Sequence, residues 1–241
     1  MSRISRMSRT CRPFDETRAW ALLGTRLLAG AADAALDAPS ALPGWTRGHV
    51  VAHVAANADA LGNLVHWAAT GDKTPMYASP EERGAGIEKG ALLPAAELRA
   101  WLRDSAQRLE SAMAALDEDQ WRAQVVTAQG RTVPATELPW MRSREVCVHA
   151  VDLGTGVSFA DLPPRFLAAL CEDVVAKRAA GPGPALLLAA SDTGARWELP
   201  GEGDPLEVTG PLAELTAHLT GRASTLTTRH GEPAPALGPW L

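Results

Sequence analysis

The stretch Trp140-Met141-Arg142-Ser143-Arg144-Glu145-Val146-Cys147-Val148-His149-Ala150-Val151-Asp152 decides how the chain is read. Its pattern predicts a helix, with Pro139 in the first turn, where a missing N–H costs nothing. Glu145 and His149 are four residues apart and so project from one face of that helix, a turn apart. Val146, Val148 and Val151 make the surroundings apolar, which turns the pair towards a core or cavity. A buried carboxylate needs compensation, and a shared cation supplies it. Taken alone the pair is ambiguous, because Glu and His at this spacing are more often a hydrogen-bonded surface pair.

A facing helix changes the weighing. Thr46 is a good N-cap for a helix from about Arg47 to Thr70, which Gly71 ends. It carries His49, His53 and His66. His53 lies within Val50-Val51-Ala52-His53-Val54-Ala55-Ala56, a small and apolar setting in which an imidazole needs a partner. A lone histidine there is usually a satisfied core group. Two inward-facing helices that each offer a ligand side chain are how metal sites in helix bundles are built.

Further helices follow from spacing. Phe14 to Leu36 places Trp20, Leu23, Leu27 and Leu28 on one face, and Ala95 to Leu116 turns Leu98, Leu102, Leu109 and Met113 inward. The Asp72–Pro94 connection, rich in Gly, Pro and charge, is long enough to be a functional loop, with room for a short helix. Asp117 to Thr136 is polar, with extended pieces around 123–126 and 130–133. Together these make a helix bundle over residues 13–157. After Asp152 the composition shifts. Gly154, Gly156, Pro163 and Pro164 mark a linker. A helix from about Pro164 to Ala179, strands at 185–190, 195–199 and 206–209, and a last helix from Leu212 to Thr220 form an α+β domain over 163–241.

Bulk properties set outer bounds. The 241 residues suffice for one large domain or two smaller ones. A net charge of −5 argues against a nucleic-acid partner. No apolar run approaches the roughly 20 residues of a membrane span. Three cysteines, Cys11, Cys147 and Cys171, make no disulfide framework and fit a reducing cytoplasm. Eight Trp against one Tyr is unusual, and several lie beside turns, where they anchor packing. Residues 1–12, with Arg3, Arg6, Arg9 and Arg12 and no apolar region, read as a tail or as the product of a start codon upstream of the true one, with Met7 an alternative start.

Several segments taken together carry a resemblance. Gly44-Trp45-Thr46-Arg47-Gly48-His49-Val50-Val51-Ala52-His53-Val54-Ala55, His66-Trp67, Thr74-Pro75-Met76-Tyr77, Thr127 to Ala135, Trp140 to Glu145 and His149 to Leu153 resemble the mycothiol-dependent maleylpyruvate isomerase family. Leu219-Thr220-Gly221-Arg222 carries the likeness, more thinly, into the second domain.

The resemblance implies a DinB-like four-helix bundle followed by a small C-terminal α+β domain of sterol-carrier type. It implies a divalent metal, usually Zn2+, held by His53, Glu145 and His149, and a catalytic arginine at Arg222 closing over that metal. It implies isomerisation of maleylpyruvate to fumarylpyruvate in gentisate degradation, with mycothiol as thiol cofactor. A His₂Glu site leaves one coordination position open, as catalytic zinc sites do. A thiol arriving there loses its proton more easily. Thiolate addition makes the double bond single, and rotation and expulsion leave the trans product. Arg222 then binds a carboxylate and steadies developing charge, although a cation at a helix C-terminus is an equally ordinary structural feature.

Lesser assignments complete the site. Arg83 can bind a substrate carboxylate, and Asp152 can orient His149 from behind. His49 sits a turn from His53, either beside the metal or hydrogen-bonded in the core. Cys147 faces away from Glu145 and is expected to be an inert buried thiol. The chain is expected to act as a cytoplasmic monomer on a small molecule. Two other functions fit the same residues: a mycothiol S-transferase acting on a different electrophile, and a metal-stabilised bundle that binds a ligand without catalysis.

Overall fold

The computed structural model describes residues 12–240. The basic N-terminal stretch up to Cys11 lies outside them. Contacts group Pro13–Ser158 into one compact unit and the residues from Phe159 onward into another.

The first unit is helical. α1 (Phe14–Ala31) packs on α6 (Leu138–Asp152), and α2 (Arg47–Thr70) packs on α4 (Ala95–Ala114). α3 (Pro80–Ala91) lies against α2, and α2 also touches α6. Small residues set these approaches. A Cβ on Gly24 of α1 would come within 2.5 Å of Val146 Cγ2 and 2.6 Å of Cys147 Sγ, so α1 and α6 meet at van der Waals distance only because residue 24 has no side chain. Gly90 does the same for α3, where a Cβ would stand 2.9 Å from Ala52.

α2 is the central helix, with Val50, Val51, Ala52, Val54, Ala55, Leu61 and Leu64 buried. Its ends are locally determined. The Thr46 side chain accepts from the His49 amide and the His49 ring accepts from the Thr46 amide, a reciprocal cap. At the other end Gly71 is left-handed, with φ 81°, and its amide donates to the Trp67 carbonyl. Arg47 serves a different helix: its Nε donates to the Leu153 carbonyl at 2.8 Å and its Nη2 to that of Gly154 at 3.2 Å, closing the end of α6.

Three features depart from expectation or give it definite form. α1 stops at Ala31 rather than near Leu36. Arg99 of α4 takes the carbonyls of Ala32, Asp33 and Ala34, at 2.8, 3.3 and 3.0 Å, and so ends the helix from outside. The Asp72–Pro94 connection holds the full helix α3, started by Ser79, whose hydroxyl accepts from the Glu82 amide. The polar segment after α4 begins with a short helix, α5 (Glu118–Arg122), capped reciprocally by Asp117 and Gln120. It continues as a hairpin of β1 (Gln124–Val126) and β2 (Thr132–Pro134), which sets Val125 against Val133. Both valines enter the core around Leu61, Leu64 and Leu138.

The second unit is α+β. It comprises α7 (Pro164–Arg178), β3 (Pro184–Ala190), β4 (Arg196–Leu199), β5 (Glu202–Gly210) and α8 (Leu212–Leu219). The sheet order is β4-β3-β5, with β3 antiparallel to β4 and parallel to β5. Along β3, Leu186, Leu188 and Ala190 are buried while Leu187 between them is 38% exposed, the alternation of a sheet with one covered face. β5 is longer than its sequence suggests: Glu202 to Pro205 lack apolar character, yet Glu202 pairs with Pro184 of β3 across an irregularity in the register. Among the described residues no helix is long and apolar enough to cross a membrane.

Candidate metal centre

The fold brings His53 of α2 to Glu145 and His149 of α6. Helix geometry settles only the second pair. The approach of α2 to α6 is held by Arg142, one turn before Glu145. Its Nη1 donates to the Val54 carbonyl at 2.8 Å and to Asn57 Oδ1 at 2.9 Å. Val54 follows His53 directly, so this clamp sets the height at which His53 meets Glu145.

His53 Nε2 lies 3.0 Å from Glu145 Oε2, and His149 Nε2 lies 3.5 Å from the same oxygen. One ligand atom from each residue falls within 4.8 Å of the others. Bonds of about 2.1 Å to a tetrahedral cation imply ligand atoms about 3.4 Å apart, so the two distances to Glu145 suit a divalent ion such as zinc. The side chains of His53, Glu145 and His149 are 7%, 18% and 13% exposed, so the cluster is enclosed without being sealed.

Charge in the cluster also fits a cation. Burial opposes ionisation of Glu145, yet hydrogen bonds from His149 and His53 hold its pKa well below the usual carboxylate range. Burial pushes the pKa of His53 down, which favours the neutral imidazole that metals bind. His149 behaves oppositely. Burial opposes its charge, but hydrogen bonds to Asp152 and Glu145 raise its pKa to about 9. A positive charge between two carboxylates is thus stabilised here, and a divalent ion can take the place of that proton. Asp152 Oδ2 stands 2.8 Å from His149 Nδ1, which fixes the tautomer that turns Nε2 inward.

Around the cluster, Arg83 of α3 places Nη2 3.4 Å from His53 Nδ1 and its guanidinium carbon 5.9 Å above the Tyr77 ring. Trp45 meets His53 edge-on at 5.8 Å and stacks on His49 at 6.1 Å. His49 itself is occupied by the α2 cap, with Nδ1 2.7 Å from Thr46 Oγ1 and Nε2 3.4 Å from Glu88. It is not among the clustered ligand atoms, and His66 is exposed on the far part of the same helix. Cys147 is buried behind the ligands, with Sγ 3.6 Å from the Trp20 carbonyl, and burial pushes its pKa up to about 12.

Arg222 belongs to the second unit. It follows α8, whose end is closed by bonds from the Gly221 amide to the His218 carbonyl and from the Arg222 amide to that of Ala217. Its Nη1 donates to the Thr220 carbonyl at 2.6 Å.

Two residues of this neighbourhood were missed in the sequence. Arg142 is almost fully buried, at 3% exposure, and its spacing from Glu145 was the available signal. Tyr77, the chain's single tyrosine, sits beside Arg83, and burial raises the pKa of its hydroxyl, which stays protonated. No spacing rule connects it to a helix 60 and more positions away.

Residues 17–154 match the model of the mycothiol maleylpyruvate isomerase N-terminal domain. The crystal structure of the mycothiol-dependent maleylpyruvate isomerase is 40% identical and superposes with a TM-score of 0.90, over 95% of this chain and 98% of that one. The crystal structure of a mutant of that enzyme, with one histidine replaced by alanine, matches to the same extent. A search of curated proteins finds no match. By its family domain and by its likeness along nearly the whole chain, this protein belongs to the mycothiol maleylpyruvate isomerase family.

Proposed function

We propose that the chain is a mycothiol-dependent maleylpyruvate isomerase, converting maleylpyruvate to fumarylpyruvate, with a divalent metal held by His53, Glu145 and His149. One observation carries the reading: the three-ligand cluster lies in a chain 40% identical, over 95% of its length, to an enzyme of that activity.

Cis–trans isomerisation needs the double bond to become single long enough to rotate, and reversible thiolate addition achieves this with no net change of atoms. When bound, the metal supplies Lewis acidity that favours the thiolate at neutral pH. The chain's residues do the rest. His53, Glu145 and His149 provide three donors and leave a coordination position for an outside ligand. Asp152 holds the His149 ring in its ligating tautomer. Arg83, at the rim, is suited to a carboxylate of the substrate, since a guanidinium can pair with both carboxylate oxygens. Arg222 is assigned to steadying negative charge in the reaction, on the strength of its Gly-Arg motif.

The test is an absorbance assay of maleylpyruvate with purified protein, with and without mycothiol, before and after metal removal. Turnover that needs both thiol and metal is expected. Turnover with neither refutes the reading. Consumption of mycothiol in step with an electrophile would instead identify an S-transferase.

A further inference from the structure

The two histidines of the cluster have outer nitrogens that face opposite charges. His149 Nδ1 faces the Asp152 carboxylate at 2.8 Å, whereas His53 Nδ1 faces the Arg83 guanidinium at 3.4 Å. A guanidinium donates and never accepts. A neutral imidazole carries one N–H. If Nδ1 of His53 accepts from Arg83, its proton is on Nε2, directed at Glu145 Oε2 3.0 Å away. That tautomer cannot offer Nε2 to a cation.

For His53 to ligate, its proton must move to Nδ1, with no net gain or loss. There it would point at an Arg83 N–H, donor against donor, with the guanidinium charge adding repulsion. Arg83 must therefore leave His53 when the metal binds. The fold lets it. Ile87 and Gly90 bury the second half of α3 against the bundle, and Glu88 pairs with His49 at 3.4 Å. The first half holds Glu81 and Glu82, both exposed, and Gly84 and Gly86, which face open space. Glycine at two positions of one turn weakens that part of the helix. The guanidinium can move without disturbing the core, and it stays at the rim of the cluster, beside the Tyr77 ring.

We propose that Arg83 couples metal binding to anion binding: it opposes ligation by His53 until a carboxylate draws its guanidinium away, so a dicarboxylate and the metal strengthen each other's binding. The proposal rests on reading Arg83 as the partner of a substrate carboxylate. Coupling of this kind is reciprocal and typically amounts to about 5–150-fold in affinity. A reaction site built this way holds its metal most firmly when a cis-dicarboxylate is in place.

The test measures zinc affinity by chelator competition, with and without saturating maleate, in the wild type, Arg83→Met and Arg83→Gln. Maleate binding to the zinc-free proteins is measured by calorimetry, and thermal melting confirms that each variant is folded. In the wild type, maleate should tighten zinc severalfold. Both variants should bind zinc more tightly than the wild type without maleate, Arg83→Gln most of all, because its amide oxygen can accept from His53 Nδ1–H. Neither variant should respond to maleate. Zinc affinity in the variants equal to or below the wild type overturns the coupling, and so does a maleate effect that survives in both variants. If maleate binds the zinc-free wild type and variants equally, the carboxylate reading of Arg83 fails as well. If maleate binding weakens in the variants while zinc affinity is unmoved, only the coupling fails.

Discussion

His149 Nδ1 and Asp152 Oδ2 stand 2.8 Å apart, and the Asp152 side chain has no exposed surface. An acceptor this enclosed cannot be replaced by water. The imidazole is therefore held in one tautomer and one orientation, with Nε2 directed at Glu145. Asp152→Asn removes the charge and leaves an amide that can present either oxygen or nitrogen. Zinc affinity measured by chelator competition should fall roughly 10–100-fold, the usual cost of losing such a support. An unchanged affinity would reduce Asp152 to a helix-end carboxylate.

Arg142 should be a stability residue before it is anything else. It ties α6 to the Val54 carbonyl and to Asn57, and its Nη2 finds no hydrogen-bond partner among the described residues. Burial pulls its pKa down to about 10, against the attraction of Glu145, so it remains charged at neutral pH. Arg142→Met leaves Asn57 Oδ1 without its guanidinium partner, withdraws the second donor from the Val54 carbonyl and removes a countercharge from Glu145. Urea unfolding of zinc-free protein should show a loss on the order of 3 kcal/mol. The same stability as wild type would mean that the clamp is dispensable.

Both thiols of the described cysteines should be inert. Burial pushes Cys147 and Cys171 up to about 12. At pH 8 only about one molecule in ten thousand carries either thiolate, so alkylation of native protein should spare both, as peptide mapping would reveal. Linkage also has a defined sign. The unfolded chain releases these protons near pH 9 and the folded chain holds them to about 12, so stability should fall as pH rises through that interval. Rapid labelling of native Cys147 at pH 8 would contradict its burial.

Arg222 can be tested by truncation because the bond that closes α8 is made by its backbone. The amide closes α8 on the Ala217 carbonyl, whichever side chain is attached. Arg222→Ala should keep its metal and fold while turnover of maleylpyruvate drops at least tenfold. A normal rate would return the side chain to a structural role, such as its bond to the Thr220 carbonyl.

Much of the bundle was legible because its signals are local. Thr46 caps α2 and Gly71 ends it through bonds made within a few residues. The end of α1 was not legible, because Arg99, from a helix far along the chain, takes the carbonyls that would have continued it. α5 was signalled by Asp117 and Gln120, whose spacing is that of a reciprocal cap, but five residues are too few to show a periodic apolar face.

The candidate site divides the same way. A rise of about 1.5 Å and about 3.6 residues per turn put Glu145 and His149 on one face whatever surrounds them, so sequence alone determined that pair. It could not choose among the histidines of α2. His49 and His53 also share a face, yet His49 is consumed by the helix cap and only His53 reaches Glu145. Nor could it separate Arg142 from Arg144, or place Arg83 and Tyr77. Those choices belong to the tertiary structure, because the distance between two helices is set by packing: by Gly24, which admits α1 to α6, and by the Arg142 clamp that sets α6 against Val54. Spacing along a helix is a property of the backbone, whereas spacing between helices is decided by the side chains that meet there.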